Sequence, residues 1–466
     1  MRSAAITAGW WGAMVVLGLA GSVRAATADP PALQGPVVMP PVNAGSRTAV
    51  PTEVDLPRVL LLAREASPRL QIEREAVLGA EARRISAGAL PNPRVALSRS
   101  RPAGGGPTLY DGRNQTDTSV EFPLLLAGQR AARVEAAERW IEAARARVQV
   151  SENMLAEEAA VSFLAILSVQ ERIDALAEAI ERISRIREIV AAREASGLAS
   201  RYDLARVEVE RAALQARLAE QAGDRADATG ALAVLLGVPG WSPQAVGSLS
   251  RFAERGAERG AESFGGPKAA RPPPGEPPSA TPGDRASIAS AHPSIVAAGR
   301  EERAATAVID LAQRERWPVP SVGVGRSWTS EPFGAANFLG LSVEVPIFDT
   351  RRGPVELARS EARAAGYRRS LVEAQINASL DRYETVLLRR REALARFDTD
   401  AGARLPMLQT MAEDAYRLGR GGILEWLDAT RTQYEQRLVR VDLLSALAEA
   451  QVRLRGAQGV LGSAGW

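Results

Sequence analysis

Cysteine is missing from all 466 residues, histidine occurs once, as His292, and lysine once, as Lys268. Without thiols there is no disulfide framework, no thiolate metal centre and no lipid-modified cysteine. One imidazole, set directly before Pro293, cannot build a histidine metal site within one chain. Aromatic residues make up 5% of the chain against 24% charged. That mixture starves a thick globular core and suits long helices with a thin apolar seam. The net charge is +3 over 58 basic and 55 acidic side chains. Acids and bases alternate along helical stretches rather than gathering on one face, which argues against nucleic acid as a partner. No Ser-His-Asp set, phosphate loop or metal-ligand cluster is present, so neither an enzyme nor a cofactor is expected.

Long hydrophobic runs are also scarce. The longest lies at the start, where Arg2 precedes an apolar stretch over 6–20. Val23-Arg24-Ala25 and Ala26-Thr27-Ala28 offer small-residue cleavage sites, so 1–28 is expected to be a secretory signal. Fifteen apolar residues are short of the roughly 20 that span a bilayer as a helix. An exported chain with no spanning helix enters a membrane only with strands. Residues 29–51, rich in proline and small side chains, are expected to be disordered.

From there the sequence repeats itself. Ser67-Pro68-Arg69-Leu70 has its counterpart in His292-Pro293-Ser294-Ile295, and Pro91-Asn92-Pro93 in Pro318-Val319-Pro320. Glu121-Phe122-Pro123-Leu124 is matched by Glu344-Val345-Pro346-Ile347, and Gly197 by Gly419. All four pairs keep an offset of 222 to 227 residues, which a long internal duplication explains simply. The repeats are expected at 52–245 and 287–466, joined by a flexible Gly/Pro-rich linker over 246–286.

Each repeat predicts the same order of elements. A first helix covers 56–89, and its counterpart 286–316. Segments of period two follow, apolar on one face and polar on the other. In the first repeat Val95 and Leu97, then Thr116, Thr118, Val120 and Phe122, lie on the apolar side. In the second, Val322, Val324 and Trp328, then Leu339, Leu341, Val343 and Val345, do so. The loops 102–114 and 330–336 carry the residues that turns require. Helical hairpins come last, 129–196 with 200–236 and 355–418 with 423–461. Their seams are spaced by threes and fours, as in Ile173, Leu176, Ile180, Ile183 and in Ile376, Leu380, Tyr383, Leu387. A helix of this length reaches roughly 100 Å at 1.5 Å per residue. The fold class is therefore mostly α with β: long antiparallel coiled-coil helices plus four strands per chain. Four strands cannot close a barrel, so several chains must pool them.

Leu90-Pro91-Asn92-Pro93, Glu121-Phe122-Pro123-Leu124 with Gly128-Gln129-Arg130, Val345-Pro346-Ile347-Phe348, and the segment from Tyr416-Arg417-Leu418-Gly419 to Leu427-Asp428-Ala429-Thr430 resemble the TolC family of outer-membrane efflux proteins. The Asn92-Pro93 and Gly128-Gln129-Arg130 forms are similar to its heavy-metal, cobalt–zinc–cadmium branch. The resemblance implies a homotrimer in the bacterial outer membrane with a twelve-stranded barrel and a periplasmic helical tunnel. It also implies a periplasmic adaptor and an inner-membrane pump of the resistance–nodulation–division type as partners. Gly197, Leu198, Leu418 and Gly419 match adaptor-docking tips. Tyr416, Glu425 and Asp428 match a gate, while the family's gating arginine falls at Gly421, leaving Arg417 or Arg420 to replace it. Leu339, Leu341, Val343 and Val345 would face lipid. A multidrug or type I secretion duct, and a non-channel periplasmic coiled-coil scaffold, are the alternative readings.

Overall fold

A computed structural model describes residues 51–101, 113–254, 288 and 290–462. The signal expected at 1–28, nearly all of the Pro-rich segment and most of the 102–114 loop lie outside the described residues.

The first repeat opens with strand β1 (Glu53–Val54) and helices α1 (Leu56–Ala66) and α2 (Pro68–Gly88). One helix over 56–89 is not what forms. Ser67 sits at φ −62°, ψ 123°, because a residue preceding proline is driven out of the helical region, and Pro68 then starts a new helix. Strands β2 (Arg94–Ser100) and β3 (Gln115–Pro123) follow. Then come α3 (Gln129–Ala195), α4 (Arg201–Leu236) and β4 (Gln244–Ala245), the last pairing in parallel with β1. The second repeat runs α5 (Pro293–Arg314), β5 (Pro320–Thr329), β6 (Ala335–Val343) and α6 (Arg352–Phe397). A π-helical segment (Asp398–Gly402), α7 (Leu405–Arg417) and α8 (Ile423–Ala457) complete it.

The 67-residue α3 is unbroken, but the run expected over 355–418 is not. Pro406, which has no amide hydrogen to give an i−4 carbonyl, stands in the first turn of α7, after the π-helical segment. The linker also begins later than its composition suggests. Leu249 is buried, its N–H donates to Glu171 Oε1 at 2.6 Å, and Gln451 Nε2 donates to the Ala253 carbonyl at 3.1 Å.

Helix α3 is the spine, packing on α2, α4, α5 and α8. One core gathers α1, the middle of α3, the end of α4 and α8 around Phe163, Leu164, Ile166 and Leu232. A second, toward the hairpin tips, gathers Leu176, Ile183 and Val190 of α3, Val207 and Leu214 of α4, and Tyr416, Trp426 and Tyr434. Beside the first core the duplication shows as matched joints. Ser67 Oγ donates to the Leu235 carbonyl at the end of α4 (3.1 Å). At the matching position His292 Nδ1 accepts the Ser294 N–H (3.1 Å), so the ring proton sits on Nε2, 3.4 Å from the Gly456 carbonyl at the end of α8.

Candidate functional site

The four long strands form one antiparallel sheet in the order β2-β3-β5-β6, with β3 paired to β5 so that the two repeats share it. Register aligns the expected apolar residues in rows across all strands. One row is Val95–Val120–Val324–Leu339, and another contains Phe122–Val322–Leu341. Nothing among the described residues covers this face where it is most apolar: Leu97 is 74% and Leu339 76% exposed. Trp328 shares it, at the end away from the helices. Val345, expected on the same face, lies two residues beyond β6.

The opposite face is polar. Asp117 accepts from Gln115 Nε2 (2.8 Å) and Ser98 Oγ (3.3 Å), and Gln115 Nε2 also donates to Ser327 Oγ (2.9 Å). Arg94 stands opposite Glu121. Phe338 breaks the polar pattern by lying across Gly325, in the space a side chain there would need. Strands β2 and β6 are both open edges. With 9, 10 and 9 residues, β3, β5 and β6 match the roughly 9–11 of a tilted transmembrane strand. No helix among the described residues is long and apolar enough to cross a membrane.

At the far end of the molecule the two hairpin tips are built alike. After α3, Gly197 (φ +72°) donates to the Glu194 carbonyl at 2.9 Å, and the Leu198 N–H to Arg193 at 2.8 Å. After α7, Gly419 (φ +70°) donates to the Tyr416 carbonyl at 3.2 Å, and the Arg420 N–H to Ala415 at 2.8 Å. Both are Schellman closures, in which only a residue tolerant of the left-handed region turns the chain at low cost. Each projects an exposed leucine, Leu198 and Leu418. Ser200 then starts α4 with a capping box to Asp203.

Of the three expected gate residues, the structure separates one from the other two. Glu425 and Asp428 are both exposed, three residues apart and so on one face of α8. Glu425 lies in the first turn of that helix, where a carboxylate also suits the helix dipole. Tyr416 is buried within the chain, its ring 5.1 Å from that of Trp426. Above it lies Arg193, 4.8 Å from the ring centroid, whose Nη1 donates to the Tyr416 carbonyl (2.9 Å) and Nη2 to Arg417 (3.2 Å).

Arg193 thus ties the first tip to the second. Of Arg417 and Arg420, the residues offered in place of the family's gating arginine, Arg417 pairs with Glu413 on its own helix at 2.7 Å. A basic residue in the last turn of α3 was the available signal. Arg182 was missed as well. It donates to Glu178, Gln409 and Gln433, each at 2.6 Å, bridging α3 to α7 and α8.

Comparison with known proteins agrees with this geometry. Residues 59–238 match the family model described as outer membrane efflux protein. The chain is 27% identical over 321 residues to the nickel-cobalt-cadmium resistance protein NccC of Alcaligenes xylosoxydans xylosoxydans, covering 67% of this chain and 65% of that one. It therefore spans just under two thirds of that relative. It is 24% identical over 355 residues to the cobalt-zinc-cadmium resistance protein CzcC of Cupriavidus metallidurans, covering 73% and 77%.

Among solved structures, CusC, from crystal structures concerned with folding and transmembrane channel formation, aligns with a TM-score of 0.67 at 18% identity over 86% of this chain and 91% of that one. The outer-membrane channel OprN gives 0.67 at 18% over 87% and 89%. The open state of the Neisseria gonorrhoeae MtrE outer membrane channel gives 0.65 at 18% over 87% and 88%. At those identities the structural likeness speaks for the fold. The family match stands for residues 59–238, and over the greater part of the chain the fold is similar to that of solved outer-membrane channels.

Proposed function

We propose that this chain is one of three identical subunits of the exit duct of a tripartite efflux system in the bacterial outer membrane. The observation that carries the reading is the four-stranded sheet with an uncovered apolar face, a hydrogen-bonded polar face and two open edges. In hydrocarbon an unpaired backbone edge costs several kcal/mol per group, so strands span a bilayer only as a closed barrel. Three copies supply twelve strands, with the polar face turned to the lumen. The long helical hairpins continue the barrel into the periplasm as a tunnel. A periplasmic adaptor meets it at Gly197-Leu198 and Leu418-Gly419 and links it to an inner-membrane pump of the resistance–nodulation–division type. The duct is passive, and its cargo is metal cations, a choice supported by the nickel, cobalt, zinc and cadmium in the names of the two relatives.

Glu425 and Asp428 line the tunnel entrance, while Tyr416, held under Arg193, fixes the second tip from inside the wall. Copies of both carboxylates around a narrow axis attract multivalent cations by Coulomb forces that a poorly solvated neck strengthens. The double variant Glu425→Ala/Asp428→Ala removes two exposed side chains and no core, so it should fold and assemble like the parent. In planar-bilayer recordings it should lose block by multivalent cations added on the periplasmic side. Block of parental strength would show that these carboxylates do not form the ring.

A further inference from the structure

Where the second repeat passes from helix to strand and back, two junctions are laced together. Arg316 Nε donates to the Thr350 carbonyl (3.3 Å), and Arg351 Nη1 donates to the Glu315 carbonyl (3.0 Å). Arg352 follows at the start of α6, with no ion-pair partner among the described residues. Two carboxylates beside them are already engaged: Glu315 pairs with Arg133 at 2.9 Å, and Asp349 Oδ1 accepts the Arg351 N–H at 2.8 Å. Three guanidinium groups are therefore left with neutral carbonyl partners or none.

Beside them, large apolar side chains stand in the open. Trp317 is 63% exposed, Ile347 72% and Phe348 99%. All lie at the helix-proximal end of the sheet, because Pro320 pairs with Val343 there.

Exposed aromatic and aliphatic side chains next to arginines with spare donors fit one environment, the head-group level of a phospholipid leaflet. There the rings lie among glycerol and upper acyl chains, and guanidinium groups take phosphate oxygens as bidentate acceptors. We propose that Arg316, Arg351 and Arg352, with Trp317, Ile347 and Phe348, form a phospholipid-binding collar that fixes the depth of the sheet at the periplasmic surface of the membrane. The proposal rests on the barrel reading above, and it names the partner as anionic phospholipid rather than a neighbouring copy of the chain.

The test uses the full-length protein in phosphatidylcholine bilayers with and without phosphatidylglycerol, and three variants: Arg316→Gln/Arg352→Gln, Trp317→Phe and Phe348→Ser. Insertion is scored separately, by flotation with vesicles and by conductance. Phosphatidylglycerol retained per chain is measured by mass spectrometry after gentle extraction. At about fivefold per arginine near an anionic surface, the double arginine variant should lose its preference for phosphatidylglycerol roughly twentyfold while still inserting and conducting. Quenching of Trp317 by lipids brominated high on the acyl chain, taken as the difference from Trp317→Phe, should be strong in the parent and weaker in Phe348→Ser. Unchanged lipid retention in a conducting double variant would overturn the collar and leave the channel standing. Trp317 shielded from bromolipid in an inserted trimer would assign the surface to a neighbouring subunit instead. A chain that never floats with vesicles would overturn both readings.

Discussion

In the first repeat the helix leaving the sheet runs from Gln129 to Ala195 without interruption. In the second it stops at Phe397, passes through five π-helical residues and restarts at Leu405 beside Pro406. Elsewhere the repeats agree closely. Their strands share one sheet, their tips close with the same hydrogen bonds, and Ser67 and His292 hold the ends of matching helices. Duplication therefore preserved the joints and the turns, while one of two equivalent helices acquired a break. Asp398 is braced across it by Arg440 of α8 at 2.8 Å, so the interruption is supported rather than loose. A π segment has surrendered its regular hydrogen-bond ladder, which makes the second hairpin the easier one to bend.

The largest expected effect tests what the repeats share. Leu341→Arg should cost roughly 2–4 kcal/mol of barrel stability if that face meets lipid near the midplane. Leu97→Arg in the first repeat should behave the same way, whereas Ser342→Arg, turned to the polar side, should assemble better. Thermal dissociation of the purified oligomer reads all three, and equal tolerance on both faces would contradict the barrel.

What the repeats do not share is sharpened by amide exchange. Residues 398–406 should exchange at least about tenfold faster than the matching 176–184 stretch of α3. Equal protection would mean that the break has no dynamic consequence.

A smaller effect separates Ser67 from His292. Burial pushes the His292 imidazole below its usual 6.5, against a weaker opposing contribution from the Gly456 carbonyl. The folded chain refuses a proton that the unfolded chain accepts. The stability that a neutral His292 provides is thus complete above pH 6.5 and declines as pH falls from there toward the depressed folded value. Protonation would also place a hydrogen on Nδ1, where the Ser294 N–H now points. His292→Ser, which copies the first repeat, should flatten this dependence, read by comparing the melting temperatures of parent and variant above and below the usual imidazole pKa. Glu157, whose carboxyl is raised by burial near Gly456, titrates in parent and variant alike, so their difference isolates the imidazole.

The repeats themselves show why some of this was legible in the sequence. Period-two alternation, turn glycines and seam spacing are local signals, and they located the four strands, both tips and the long helices of the first hairpin to within a few residues. Pro406 was equally visible, yet the helix expected over 355–418 runs straight through it. The inter-hairpin contacts of Arg193 and Arg182 were not legible, because the partners in those contacts lie more than 220 residues away and sequence spacing carries no information about them. The burial of Tyr416 at the tip was not legible either. An aromatic ring at a helix end serves a wall or an opening equally well until the packing of Trp426 and Arg193 is known.

The central claim is that the sheet is completed by other copies of the same chain, and it is tested most directly by counting them. Chemical crosslinking in native outer membranes, followed by the mass of the detergent-extracted particle, should give a three-chain species and no stable monomer. A monodisperse monomer that stays soluble in water without detergent would contradict the account.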